Sequence, residues 1–163
     1  MTFAILIDGL GKHSHLDEAL KLFRAMQERG LDISIVVYNS LINSMCKAGM
    51  LRMAKGFFSG LFNKELLPNV RTYTIMIQEY CKEGLPKHAY FLFRKMERYG
   101  CLPDSCSYNV MIQGFLQKNE SSRAIPLLNE MVRKGFSADS DTAGMLIDLA
   151  SRDGIIQRYM FSP

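Results

Sequence analysis

The chain has 163 residues, 48% hydrophobic and 22% charged, enough to bury a sizeable core. Its formal charge of +4, from 20 basic and 16 acidic residues, tolerates an anionic partner without demanding one. No apolar run approaches the roughly 18 residues of a membrane span, and the four cysteines make neither a disulfide framework nor a zinc site.

The pattern is already running in residues 1–10, with no Arg- and Ser-rich, acid-poor presequence ahead of it. That reading predicts a fragment, or a shortened form of something longer. In the next segment Tyr38, Leu41, Ile42 and Met45 fall at i, i+3, i+4 and i+7, the stripe of an amphipathic helix. Leu51, Ala54, Phe57, Phe58 and Leu61 give a second stripe. Ala48-Gly49 lies between them, where glycine can end the first helix in a left-handed conformation. Pro68 and Pro103 punctuate later joins, since proline cannot continue a helix. Pro126 falls inside a predicted helix and is expected to kink or delay it, at roughly 3 kcal/mol. The last segment carries a first helix through Leu146, Ile147 and Ala150 and a cut-short second one.

These segments repeat. Ile7, Ile42, Ile77, Ile112 and Ile147 recur every 35 residues, as do Ala19, Ala54, Ala89 and Ala124. Tyr38, Tyr73 and Tyr108 form a third series, and Met26, Leu61, Met96 and Met131 a fourth. The repeats run 1–35, 36–70, 71–105 and 106–140, and residues 141–163 form a partial fifth that reads as a C-terminal cap. Each unit is two antiparallel helices and a tight turn. A lone hairpin leaves one side apolar, so neighbours must stack to cover it. Cys46 and Cys81 occupy equivalent places in stacked helices about 8–10 Å apart, beyond the ~7 Å reach of a disulfide. They are expected to be thiols, which fits a reducing compartment.

A 35-residue hairpin carrying VVYNSLINSMCKAGM, RTYTIMIQEYCKEGL and CSYNVMIQGFLQKNE resembles the pentatricopeptide repeat family in its pure 35-residue P class. The FRAM, FRKM and LNEM tails and the LPN and LPD joins match too, and within plants the sequence looks like the restorer-of-fertility-like branch. The resemblance covers about 140 of the 163 residues. It implies an all-α, right-handed superhelical solenoid that binds single-stranded RNA in a mitochondrion or plastid, the mitochondrion slightly favoured. There it would stabilise, remodel or direct the processing of a transcript, with protein partners possible and no cofactor.

Two polar series stand where such a surface needs them. One is Ala4, Asn39, Thr74 and Asn109, each following a first-helix aromatic; the other is Ser34, Asn69, Asp104 and Asp139, near the repeat ends. Asn, Thr and Asp can distinguish base edges, and they are also ordinary helix N-caps. The residues alone leave both roles open. The family carries its two base-selecting residues here, which implies a pyrimidine (C before U) for Asn39 with Asn69, G for Thr74 with Asp104, and U for Asn109 with Asp139. The implied core is 5′-(C/U)GU-3′; Ala4 leaves the first repeat unassigned. This requires Asn39, Thr74 and Asn109 to point one way and not to be buried between helices. Base-stacking positions correspond to Met1, Val36, Arg71, Cys106 and Asp141; Asp141 would repel phosphate, so the partial fifth repeat is not expected to read a base.

Lys12, Lys47 and Lys82 share one repeat position, replaced by Gln117 and Arg152 later. They could track phosphates, or simply sit as solvated cations at helix ends. Catalysis finds little support. His13, His15 and His88 are scattered and expected at the surface, and there is no H-x-E with P-C-x-x-C and no phosphate-cradling glycine loop. Two rivals to RNA binding remain, a peptide-binding scaffold like the tetratricopeptide repeat and an inactive truncated remnant. The first would favour a Trp that this chain lacks, and a period of 34.

Overall fold

The computed structural model describes residues 2–153, whose regular structure is entirely helical. Along the chain run α1 (Thr2–Lys12), α2 (Leu16–Glu28), α3 (Ile35–Lys47), α4 (Leu51–Asn63) and α5 (Val70–Lys82). They are followed by α6 (Pro86–Arg98), α7 (Ser105–Gln117), α8 (Ser121–Arg133) and α9 (Ser140–Asp153). Helices α3, α5, α7 and α9 begin 35 residues apart, and so do α2, α4, α6 and α8. Residues 154–163, and with them the second helix expected in the cap, lie outside the described residues, as does Met1.

Helix ends keep this phase. Every described helix through α8 is followed by a residue with positive φ: Ser14, Gly30, Gly49, Glu65, Gly84, Gly100, Asn119 and Gly135. At Gly49, a φ of 74° lets Met50 N reach back to Met45 O at 2.8 Å, closing α3 and turning the chain into α4. Glu65 makes the same turn at φ 57° with a side chain attached, which costs about 1–2 kcal/mol relative to glycine. Helix α8 runs from Ser121 to Arg133 through Pro126, at the same length and phase as α6. The expected delay is absent; Pro126 and Ser122, whose carbonyl the ring deprives of its donor, are both exposed residues.

The helices pack as two compact units, one ending at Glu79 and the other beginning at Tyr80. In the first, α1 packs on α2 and α3, and α3 on α2 and α4. Ile7, Ala19, Leu41, Ile42, Met45, Ala54 and Leu61 are fully buried there. Phe23 meets Tyr38 edge-on, ring centroids 5.3 Å apart. Gly11 lies so close to α3 that a Cβ would overlap Ser44 Oγ.

In the second unit α7 packs on α6, α8 and α9, and Phe93 meets Tyr108 edge-on at 5.1 Å. A Cβ on Gly114 would overlap Cys81 Sγ. Burial pushes the Cys81 thiol up to about 12, which makes it a packing residue rather than a nucleophile. Ile112 is fully buried, whereas Ile147, its counterpart in α9, is 65% exposed. Among the described residues no helix follows α9 to cover that face.

A polar cluster ties α6 to α8. Arg94 donates to Glu130 through Nη1 at 2.9 Å and Nη2 at 2.7 Å, and through Nε to Tyr90 Oη at 3.0 Å. Tyr108 Oη donates to Glu130 Oε1 at 2.7 Å. Glu97 accepts from Arg94 Nη1 at 3.1 Å and lies 4.0 Å from Lys134 Nζ. The Arg94 hydrogen bonds hold the Glu130 carboxyl down at about 2, and burial followed by the Glu130 contact pushes the Tyr108 phenol up.

Candidate nucleic-acid interface

The repeat-end residues are built as caps. A helix N-terminus leaves backbone N–H groups without partners, and an Asn or Asp side chain just ahead can accept from them. Asn69 Oδ1 accepts from Thr72 N at 3.0 Å and Thr72 Oγ1 at 2.9 Å, while Asn69 N donates back to Thr72 Oγ1 at 3.0 Å. Asp104 and Ser107 form the same reciprocal box on α7, with Ser107 N donating to Asp104 Oδ1 at 2.9 Å. Asp139 Oδ1 accepts from Thr142 N at 2.8 Å and from Gln113 Nε2 at 3.3 Å. Ser34 makes no side-chain cap bond, and Val37 brings no hydroxyl with which to complete a reciprocal box. All four repeat-end residues remain exposed.

The other series differs. Asn39, Thr74 and Asn109 sit in the second turn of α3, α5 and α7, beyond capping range. They are 7%, 4% and 3% exposed, so the openness that base reading requires of them is not met. Asn39 Nδ2 donates to Asn69 Oδ1 at 3.1 Å, which brings the second repeat's two candidate readers into contact. Asn39 Oδ1, enclosed, has no hydrogen-bond partner among the described residues. Asn109 Oδ1 accepts from Asp139 N at 2.9 Å, and its Nδ2 donates to Ser105 O at 2.8 Å and Ser137 O at 3.2 Å. Thr74 Oγ1 donates to Val70 O at 2.8 Å within its own helix. Thr74 belongs to the first unit and Asp104 to the second, where Asp104 caps α7. The half-buried Ala4 offers no polar group.

The stacking positions are open: Val36 is 57% exposed, and Arg71, Cys106 and Asp141 are exposed as well. Lys12, Lys47 and Lys82 end α1, α3 and α5, all exposed. Lys12 is 2.6 Å from Asp8. His13, His15 and His88 are exposed, with His88 stacked on Tyr80. Among the described residues no group of His, Cys, Asp and Glu could hold a metal ion, and no helix is long and apolar enough to cross a membrane.

The model of the PPR repeat family matches residues 33–82, 68–115 and 103–151, and that of the single PPR repeat matches residues 1–31. The chain belongs to the PPR repeat family. Over 68 residues, 41% of its length, this PPR chain is 31% identical to a mitochondrial pentatricopeptide repeat-containing protein of Arabidopsis thaliana, of which it spans 15%. PPR10 from maize superposes with a TM-score of 0.78 and 23% identity, over 92% of this chain and 22% of that one. In complex with an 18-nt psaJ RNA element, PPR10 gives a TM-score of 0.80 at the same identity. The PPR domain of Arabidopsis thaliana protein-only RNase P 1, in complex with tRNA, gives 0.78 at 20% identity, over 93% of this chain and 80% of that domain. These likenesses establish the all-α helical-repeat solenoid fold.

Two features of the PPR chain went unread in the sequence. The capping partners Thr72, Ser107 and Thr142 share a repeat position and lie three residues beyond their caps, so the spacing offered a signal. The Arg94–Glu130 pair did not, being 36 residues apart and on second helices.

Proposed function

We propose that this PPR chain binds single-stranded RNA without catalysing a reaction, one base per repeat, as a P-class array of the restorer-of-fertility-like branch. Its repeats are 1–35, 36–70, 71–105 and 106–140, capped from residue 141. Its place is an organelle, the mitochondrion before the plastid, where it stabilises a transcript or directs its processing. Family membership supports RNA as the partner, the RNA complexes of PPR10 and the RNase P domain are consistent with it, and the mitochondrial relative favours the compartment.

The observation that carries the reading is the Asn39–Asn69 contact. Two side chains 30 residues apart meet at 3.1 Å, one exposed, the other holding an enclosed carbonyl oxygen that accepts no hydrogen bond among the described residues. A buried acceptor left unpaired costs about 1–3 kcal/mol, and a base N–H would relieve it. On this reading the exposed Asn69, Asp104 and Asp139 meet the base edge first. Asn39, Thr74 and Asn109 engage once they release their present partners. Val36, Arg71 and Cys106 lie against the base faces, and Lys12, Lys47 and Lys82 against phosphates. The preferred core is 5′-(C/U)GU-3′.

Thr74→Asn tests this. It gives the third repeat the Asn/Asp pair of the fourth, so the base preferred there moves from G to U. Binding is measured to short single strands differing at that one nucleotide. An unchanged preference removes Thr74 and Asp104 from the reading site.

A further inference from the structure

The two units carry the same surface motif in two states. In the second, Arg94, Glu97, Tyr108, Glu130 and Lys134 join through hydrogen bonds and ion pairs in which two cations face two carboxylates. Two 35-residue periods earlier stand Arg24, Gln27, Tyr38, Gly60 and Lys64. The guanidinium, the phenol and the ammonium are kept; both carboxylates are gone. Lys64 Nζ lies 5.8 Å from the Tyr38 ring centroid, as Lys134 Nζ lies 5.7 Å from that of Tyr108. Arg24 has no ion pair among the described residues.

Where the carboxylates are missing there is space. A cavity of about 340 Å³ is lined by Arg24, Gln27, Tyr38, Lys64 and Gly60, with an apolar floor that includes Phe23 and Phe57. Its counterpart beside Glu130 is about 210 Å³. Gly56 and Gly60 account for the difference, since a Cβ on either would meet no atom within 4 Å, whereas the second unit has Pro126 and Glu130 there.

We infer that this cavity between α2 and α4 is a binding site for a small carboxylate on an apolar body. The ligand's carboxylate takes the place that Glu130 occupies in the second unit. Arg24 offers it a bidentate guanidinium, Tyr38 its hydroxyl and Lys64 a second positive charge. The aromatic floor takes the hydrocarbon part, and the volume falls in the range of small-ligand pockets.

Phenylacetate is the probe, titrated into the full chain by calorimetry, with phenylacetamide as its neutral isostere. The expected result is saturable one-to-one binding, about tenfold weaker for the amide because charge-assisted hydrogen bonds are lost. Arg24→Gln, at an exposed residue, weakens phenylacetate by about the same factor and leaves the thermal midpoint in place. Gly60→Glu supplies the missing carboxylate from within and abolishes binding. Should that variant fail to fold, Arg24→Gln and the amide decide alone. Equal binding of acid and amide, no saturable binding, or displacement of phenylacetate by inorganic phosphate or single-stranded RNA at equal concentration overturns the assignment.

Discussion

Replacing the Asp104 carboxylate removes an acceptor that serves both the backbone N and the Oγ of Ser107. Asp104→Ala is therefore expected to destabilise the chain by about 1 kcal/mol, the usual cost of a lost N-cap, while Asp104→Asn leaves the thermal midpoint close to unchanged. Glu130→Gln reaches further. It keeps the shape but removes the charge that Arg94 and Tyr108 both address, at a cost of roughly 1–3 kcal/mol at neutral pH. Because Arg94 holds the Glu130 carboxyl at about 2 against an ordinary 4.5, the folded chain binds fewer protons there than the unfolded one. The stabilisation is whole above about pH 4.5 and fades as pH falls toward about 2. Melting followed across that window should show the parent losing stability and Glu130→Gln losing less. An identical pH slope in both chains would remove Glu130 from this role. Single residues were also where the sequence was hardest to read. Asn and Asp at a repeat end look alike as caps and as readers, and only coordinates separate the exposed Asn69 from the buried Asn39.

Helices were easier, because their signals are periodic and local. The 35-residue spacing, the stripe through Tyr38 and Met45 and the turn at Gly49 all reappear as expected. The delay expected at Pro126 did not appear, because α8 starts at Ser121 in phase with the other second helices and continues through the proline. The close approach of α7 to residue 81 was not legible either, since it pairs one small residue with a larger one in the preceding repeat. Gly114→Ala must displace Cys81 Sγ from a packed contact and should cost about 1–3 kcal/mol, the range for overpacking. Urea unfolding of the variant checks this, and an unchanged midpoint would mean that Cys81 can turn aside.

For the molecule as a whole, the distribution of charge sets the expected response to salt. If Lys12, Lys47 and Lys82 each neutralise a phosphate, the logarithm of the RNA binding constant should fall against that of the salt concentration with a slope of about −2, at roughly −0.7 per contact for single strands. A slope near zero would instead favour the peptide-binding rival. The caps bear on how such an array can diversify. Asn69, Asp104 and Asp139 each start a helix while remaining exposed, so if they select the base as proposed, a substitution that changes the choice also perturbs folding unless the newcomer can cap. The affordable substitutions are then Asn, Asp, Ser and Thr, and the vocabulary of such an array is bounded by helix initiation before nucleic-acid chemistry has any say.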